Sequence, residues 1–339
     1  MISLVTEYFL AIALFFSFIT LIFYGFPVAW TMGGLGVLFI FISMISDNLF
    51  DTFYGVDFGF ASMVVYRLYG VMANWVLVAL PMFIFMGIMM DKSGIAEDLM
   101  TDLSKLFGKT RGGLAISIVF IGVLLAASTG IIGAAVVLLT ILGVPLMLKN
   151  NYNPNLACGV VCATGTLGIL IPPSVILVIY GLLTEQSIGK LFMAGFLPGM
   201  LGILFYTLAV FFVVSRNPSL GPAGESTSWS DRLLALKDVW TTLALFVFVI
   251  GGIYIGLFSA TEAAGMGAAG ALVIAISSGN LKISEYFNVF RDASVLAAKL
   301  FALLFGATMF SNFLNRAGLP DALLGIINSL VIALIVLIL

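Results

Sequence analysis

The sequence contains no histidine, and only two of its 339 residues are cysteine. The first absence removes the commonest metal ligand and the usual general base near neutral pH. With only Cys158 and Cys162 left, no four-ligand zinc site can be assembled, so a transition-metal enzyme and a histidine-dependent triad are both excluded. Charge is scarce as well: 14 Lys and Arg and 16 Asp and Glu make up 9% of the chain, against roughly a quarter in soluble domains. A net charge of −2 without any basic run offers no surface to a phosphate backbone, and no nucleic acid partner is expected. What is present instead is apolar. Hydrophobic residues reach 62%, too many for one buried core and spread over nearly the whole length. The chain therefore reads as an all-α polytopic membrane protein surrounded by lipid, and a soluble enzyme is excluded. Cys158 and Cys162 lie at i, i+4 in an apolar stretch, where packing is expected rather than a disulfide.

Charge-free windows place the spans, since about 20 apolar residues cross the hydrocarbon. Residues 8–46 can hold two helices divided by a turn at Gly25-Phe26-Pro27. Windows 68–90, 191–215, 239–261 and 263–281 each suit one ordinary crossing, and 300–315 a short one. The windows 112–148 and 150–184 are interrupted, and 322–339 runs to the chain end without a polar stop, as though cut inside a helix. No secretory leader is expected, because the first apolar stretch lacks a basic flank and runs straight into a second span. Lys92, Lys105, Lys109 and Arg111 mark a cytoplasmic loop. Counting crossings from there puts the N-terminus outside, and Lys149, Arg216, Arg232 and Lys237 inside.

One polar linker, 216–237, divides the chain. Across it, Met90-Asp91-Lys92-Ser93-Gly94-Ile95 recurs as Leu314-Asn315-Arg316-Ala317-Gly318-Leu319, the first copy inside and the second outside by the crossing count. That is the pattern of an inverted repeat. The expected organisation is a first repeat over 1–215, a cytoplasmic linker, and the start of a second, truncated repeat over 238–339.

Non-helical backbone at membrane depth survives only where protein or a wet cavity surrounds it, so the interruptions are the informative places. In Gly165-Thr166-Leu167-Gly168-Ile169-Leu170-Ile171-Pro172-Pro173-Ser174 the two glycines and the double proline should unwind the helix. Carbonyls freed at 165–171 suit a small cation, and a half-helix beginning at Pro173-Ser174 would turn its positive end toward an anion. The alternative is a structural proline kink. Ser128-Thr129-Gly130, near the middle of 112–148, suits the tip of a re-entrant hairpin or, alternatively, a small-residue packing patch or the junction of two ordinary spans. Glu262, the only carboxylate between two spans, reads as a cap on the second of them.

With these residues in view, the sequence closely resembles the large membrane subunit of the tripartite ATP-independent periplasmic (TRAP) transporters, the DctM-like permeases. The resemblance is carried by Leu80-Pro81-Met82-Phe83-Ile84-Phe85-Met86-Gly87, the Gly165 to Ser174 string, Ser187-Ile188-Gly189-Lys190-Leu191-Phe192 and Thr261-Glu262-Ala263-Ala264, and it covers essentially the whole chain. It implies an elevator-type fold of the ion-transporter superfamily, with two inverted repeats, each holding a re-entrant hairpin and a broken helix. It also implies two partners, a small membrane subunit and a periplasmic substrate-binding protein. Two departures stand out. Ser128-Thr129-Gly130-Ile131 replaces the family's usual Gly-Ser-Ser tip, and the family's second hairpin and second Pro-Pro motif do not occur, so the chain as it stands is not expected to transport alone.

The expected function is import of a small organic anion, most often a carboxylate, across the inner membrane, with a stand-alone sodium/dicarboxylate-type symporter as the alternative. Between Ser128 and Ser174 the only titratable group of a kind a proton carrier could use is Lys149, which favours sodium as the coupling ion, with no other cofactor. Ser128, Thr129, Gly165, Thr166, Gly168, Ile171 and Pro173 are the candidate cation site, and Thr164, Pro172 and Ser174 the candidate substrate contacts. No nucleophile with a base is available, so an enzyme is not expected.

Overall fold

A computed structural model describes residues 9–50, 57–94, 110–129, 132–224, 229–320 and 324–325. Twelve α-helices occur among them: α1 (Phe9–Phe23), α2 (Val28–Phe50), α3 (Phe58–Met72), α4 (Ala79–Lys92), α5 (Gly113–Thr129), α6 (Ile132–Lys149), α7 (Pro154–Thr166), α8 (Val175–Leu183), α9 (Ile188–Arg216), α10 (Trp229–Tyr254), α11 (Ala260–Ser278) and α12 (Ile283–Arg316). The only β pairing among the described residues is an isolated bridge between Arg111 and Ala223. Among the described residues, five stretches are long and apolar enough to cross a membrane: Val28–Leu49, Trp75–Lys92, Ile188–Arg216, Ala260–Ser278 and Ile283–Arg316. The chain is a multi-pass, all-helical membrane protein.

Local chemistry sets the helix ends. Asn153 caps α7 by accepting from the Asn155 amide at 2.9 Å, and Pro154 occupies the first turn, where its missing N–H costs nothing. Ser187 caps α9. Ser259 and Glu262 form a capping box at α11: the Glu262 carboxylate accepts from the Ser259 amide at 2.8 Å, and the Glu262 amide donates to the Ser259 hydroxyl at 3.3 Å. Glu262 is thus the cap expected of it. The two similar segments close their helices in the same way. Gly94 (φ 80°) and Gly318 (φ 70°) both adopt the left-handed conformation after α4 and α12. Ser93 and Ala317 donate to the carbonyls of Met89 and Phe313, four residues back.

Several expected boundaries change. The window 68–90 is not one helix. α3 runs into it and ends at Met72, the amides of Ala73 and Asn74 turn back to Tyr69 and Val71, and a 3₁₀ turn over Trp75–Val78 leads into α4. An uncharged window records missing charge, not backbone continuity. The segment from Lys282 to Lys299 and the short window 300–315 belong almost entirely to one 34-residue helix, α12. The window 239–261 includes a loop after Tyr254 in which Gly256 has φ 76°. The stretch 216–237 is irregular through Gly224, but α10 takes up its last residues from Trp229. Lys105 and Lys109, and nearly all of 322–339, lie outside the described residues.

The chain forms two compact units, Met1–Asn74 with Ala298–Leu339, and Trp75–Ala297. In the first, α1, α2, α3 and the end of α12 enclose Leu14, Phe39, Ile40, Phe310 and Phe313. The rings of Phe39 and Phe313 are 5.8 Å apart, and the Arg67 guanidinium donates to the side-chain oxygen of Asn312. In the second, α4 lies along the alanine-rich α11, while α5, α6 and α7 enclose Ile118, Ile121, Leu139, Met147 and Val161. The 3₁₀ turn Pro218–Leu220 and the residue after it are fastened to this group, since Asn153 donates to the Leu220 carbonyl at 2.9 Å and Gly112 to Gly221 at 3.1 Å.

Candidate functional site

The helix does break where its sequence weakens. α7 stops at Thr166, a 3₁₀ turn covers Leu167–Ile169, and no helix resumes until Val175. Prolines 172 and 173 supply no amide hydrogens, so a helix through them would leave two carbonyls unmatched. The segment makes its own substitutes. The Leu167 carbonyl accepts from the amides of Leu170 (3.0 Å) and Ile171 (3.1 Å). The Ser174 hydroxyl donates to the Ile169 carbonyl at 2.9 Å, and its oxygen caps α8 by accepting from Leu177 at 3.4 Å. The nine-residue α8 therefore begins inside the apolar region, with its first amides directed at the break.

Two neighbours hold the break in place. On one side is α6. A Cβ on Gly165 would overlap Val136 Cγ2 and lie 3.4 Å from the Val136 Cα, so the absent side chain is what lets α7 meet α6. On the other side is α9, through Gly195, Gly199 and Gly202. A Cβ on these would come within 2.6 Å of the Leu170 carbonyl oxygen, 2.5 Å of Ile171 Cγ1 and 2.5 Å of Leu167 Cδ2 respectively. One residue row of α9 thus cradles the whole stretch from 167 to 171. Hydropathy alone makes α9 an ordinary span. The i, i+4, i+7 spacing of these glycines is the available signal, and its meaning depends on what lies opposite.

The candidate residues divide by direction. Gly165 faces α6, and Thr164 turns its methyl toward α5, where a Cβ on Gly122 would strike it. Thr166 faces α9, with its hydroxyl 3.3 Å from that of Tyr206. Gly168, Pro172, Pro173 and Ser174 are buried and Ile171 half-buried. Ser128 and Thr129 close α5, but their side chains, like Gly130 and Ile131, lie outside the described residues. Cys158 and Cys162 are free thiols, in line with the expectation against a disulfide, but both are exposed on α7 and the expected packing is not met. Thr164 Oγ1 is fully buried and has no hydrogen-bond partner, an exception that calls for explanation. It borders a cavity of about 180 Å³ between α7 and α9, lined also by Val119, Asn155, Val160, Tyr206 and Val210. An idle hydroxyl proton beside that space can donate to an acceptor group. The Ser174 proton, by contrast, is already committed to the backbone.

Just before α7 the Tyr152 hydroxyl accepts from the Leu114 amide at 3.3 Å, joining the loop that precedes α7 to the start of α5. Burial holds its phenol above the ordinary value, an effect partly offset by the amides of Leu114 and Ala115.

A helix broken within the apolar region, held between a helical pair and a glycine-faced span, defines a multi-pass membrane protein whose irregular backbone is suited to a polar ligand. The match to known proteins makes this specific. Residues 15–339 fit the model of the "Tripartite ATP-independent periplasmic transporter, DctM component", and the chain belongs to that family. It is 34% identical over 259 residues to the C4-dicarboxylate TRAP transporter large permease protein DctM of Pseudomonas aeruginosa, covering 76% of this chain and 60% of that protein. To the protein of the same name from Vibrio cholerae it is 33% identical over 273 residues, 78% of this chain and 56% of that one. To the ectoine TRAP transporter large permease protein TeaC of Halomonas elongata it is 32% identical over 250 residues, 73% and 58% respectively. The chain thus spans between half and two thirds of the length of these relatives, which are permeases and not enzymes.

Proposed function

We propose that this chain acts as the large permease subunit of a sodium-coupled tripartite transporter importing a small organic anion, in most cases a carboxylate, across the inner membrane. The observation that carries the proposal is the interruption from Thr166 to Ser174 in a chain of the DctM family. A buried carboxylate needs compensation, yet no lysine or arginine lies between 150 and 189. Three sources remain: bound sodium, the idle hydroxyl of Thr164, and the N-terminus of α8 with Pro172 and its cap Ser174 leading into it. A helix N-terminus contributes only about 0.3–2 kcal/mol toward an anion, so sodium carries most of the compensation, and substrate and sodium raise each other's affinity by the same factor. The carbonyls of Gly165, Gly168 and Ile171, the Pro173 turn and the hydroxyls of Ser128, Thr129 or Thr166 are the proposed cation ligands.

The partners are a periplasmic binding protein and a small membrane subunit, in keeping with the word tripartite in the family's description. The inverted repeat and elevator motion are part of the same reading. They are supported by the matching helix ends at Gly94 and Gly318. In this arrangement the hairpin of α5 and α6 and the broken helix travel together. The relatives named for C4-dicarboxylate and for ectoine are consistent with small polar substrates. The test is uptake by cells expressing the full-length permease with its small subunit and binding protein. Replacing sodium with choline should abolish it. Uptake that survives choline and is lost when the proton gradient is collapsed would contradict the coupling.

A further inference from the structure

We propose that Tyr206 on α9 is a positioning residue for the break: acting through Thr166, its hydroxyl sets the point at which α7 stops being helical. Its consequence for transport rests on the functional reading above, whereas its structural content does not.

A threonine hydroxyl has a single proton and two acceptor lone pairs. The Thr166 proton goes to the Ala163 carbonyl at 2.7 Å, so in the 3.3 Å contact between Thr166 Oγ1 and the Tyr206 hydroxyl the donor is Tyr206. In a continuing α-helix the Ala163 carbonyl would accept from the Leu167 amide. That amide bonds to the Thr164 carbonyl instead, and the 3₁₀ turn Leu167–Ile169 follows at once. The Thr166 side chain competes with the backbone for that carbonyl, a known effect of hydroxyl residues within helices. It does so at the residue where α-helix gives way to 3₁₀.

A threonine free to rotate would release the Ala163 carbonyl, and the Leu167 amide could reclaim it. Tyr206 removes that freedom by occupying an acceptor site of Thr166 from outside the helix. Its place on α9 suits the task, because it follows Gly202 by four residues and so continues the row that cradles Leu167, Leu170 and Ile171. The ring is half-buried and lines the cavity beside Thr164. The carbonyls of Gly168 and Ile171 follow within five residues of Thr166, so their position depends on where α7 ends.

The test is hydrogen–deuterium exchange on the full-length permease, comparing wild type with Tyr206→Phe, Thr166→Val, Thr166→Ser and the double variant Y206F/T166V. Tyr206→Phe should speed exchange across 167–171 about fivefold, the scale of one net hydrogen bond, and leave α5 and the rest of α9 protected. Thr166→Val should do the same, Thr166→Ser should behave as wild type, and the double variant should exceed neither single one. Tyr206→Phe should also raise the sodium chloride concentration giving half-maximal thermal stabilisation, relative to choline chloride, without lowering the maximum. Wild-type exchange in Tyr206→Phe, or additive effects in the double variant, would overturn the proposal. If exchange responds as expected while sodium stabilises neither protein, Tyr206 keeps its role and the sodium reading falls.

Discussion

Gly165→Ala probes the seam between α6 and α7 that aligns the helix pair with the break. The new methyl would overlap Val136 Cγ2 and lie 3.3 Å from Val136 Cβ and 3.4 Å from its Cα. The Cβ and Cα lie at the edge of ordinary contact, so the overlap with Cγ2 is what must be relieved, by forcing Val136 out of its packed position. Overpacking of this kind costs about 1–3 kcal/mol, and replacing glycine by alanine within a helix returns up to about 1 kcal/mol. The net expectation is a loss of roughly 1 kcal/mol. In a Val136→Ala background the principal clash is gone, so the same substitution should be neutral or stabilising by up to about 1 kcal/mol. The two sites should therefore couple by about 1–2 kcal/mol, within the range for touching residues. Thermal unfolding of the four full-length proteins in detergent measures this. Additive effects, or a Gly165→Ala protein as stable as wild type in both backgrounds, would refute the packing described.

Three further outcomes follow from other contacts. Gly195→Ala would place a methyl 2.6 Å from the Leu170 carbonyl oxygen, which cannot move without disturbing the break, so initial uptake rates should fall by at least roughly tenfold, the equivalent of about 1.4 kcal/mol, while the protein remains in the membrane. Ser259→Ala removes one half of the α11 capping box and should cost about 1 kcal/mol of stability in a melting experiment, with the sodium dependence of uptake unchanged because Glu262 is a cap and not an ion ligand. The Tyr152 phenol is held above its ordinary value of 10.0. Folding therefore favours its protonated form: this contribution is intact below pH 10 and is lost as pH rises beyond it, and Tyr152→Phe should flatten the alkaline side of a stability profile measured by thermal melting.

The break is legible in the sequence because its causes are local. Gly168, Pro172 and Pro173 act on their own backbone, and Asn153, Ser187 and Ser259 cap helices through residues two or three positions away. The turn at Gly25-Phe26-Pro27 falls between α1 and α2 for the same reason. What depends on a partner is not legible. The glycine row of α9, the idle Thr164 hydroxyl and the contact between Tyr206 and Thr166, 40 residues apart in sequence, acquire meaning only when α9 is set beside the break. The continuity of α12 escapes a hydropathy reading because Glu285, Arg291, Asp292 and Lys299 interrupt hydropathy without interrupting a helix. The end of α3 at Met72 escapes it because the turn at Ala73 and Asn74 carries no charge.

The central claim, that the chain serves a tripartite sodium-driven importer, is tested most directly in proteoliposomes. These would contain the full-length permease and its small subunit, with an inward sodium gradient and a radiolabelled C4-dicarboxylate or ectoine as trial substrates. Uptake should occur only when both the sodium gradient and the substrate-loaded binding protein are supplied. Uptake of free substrate at the same rate without the binding protein would contradict the claim and identify a stand-alone symporter instead.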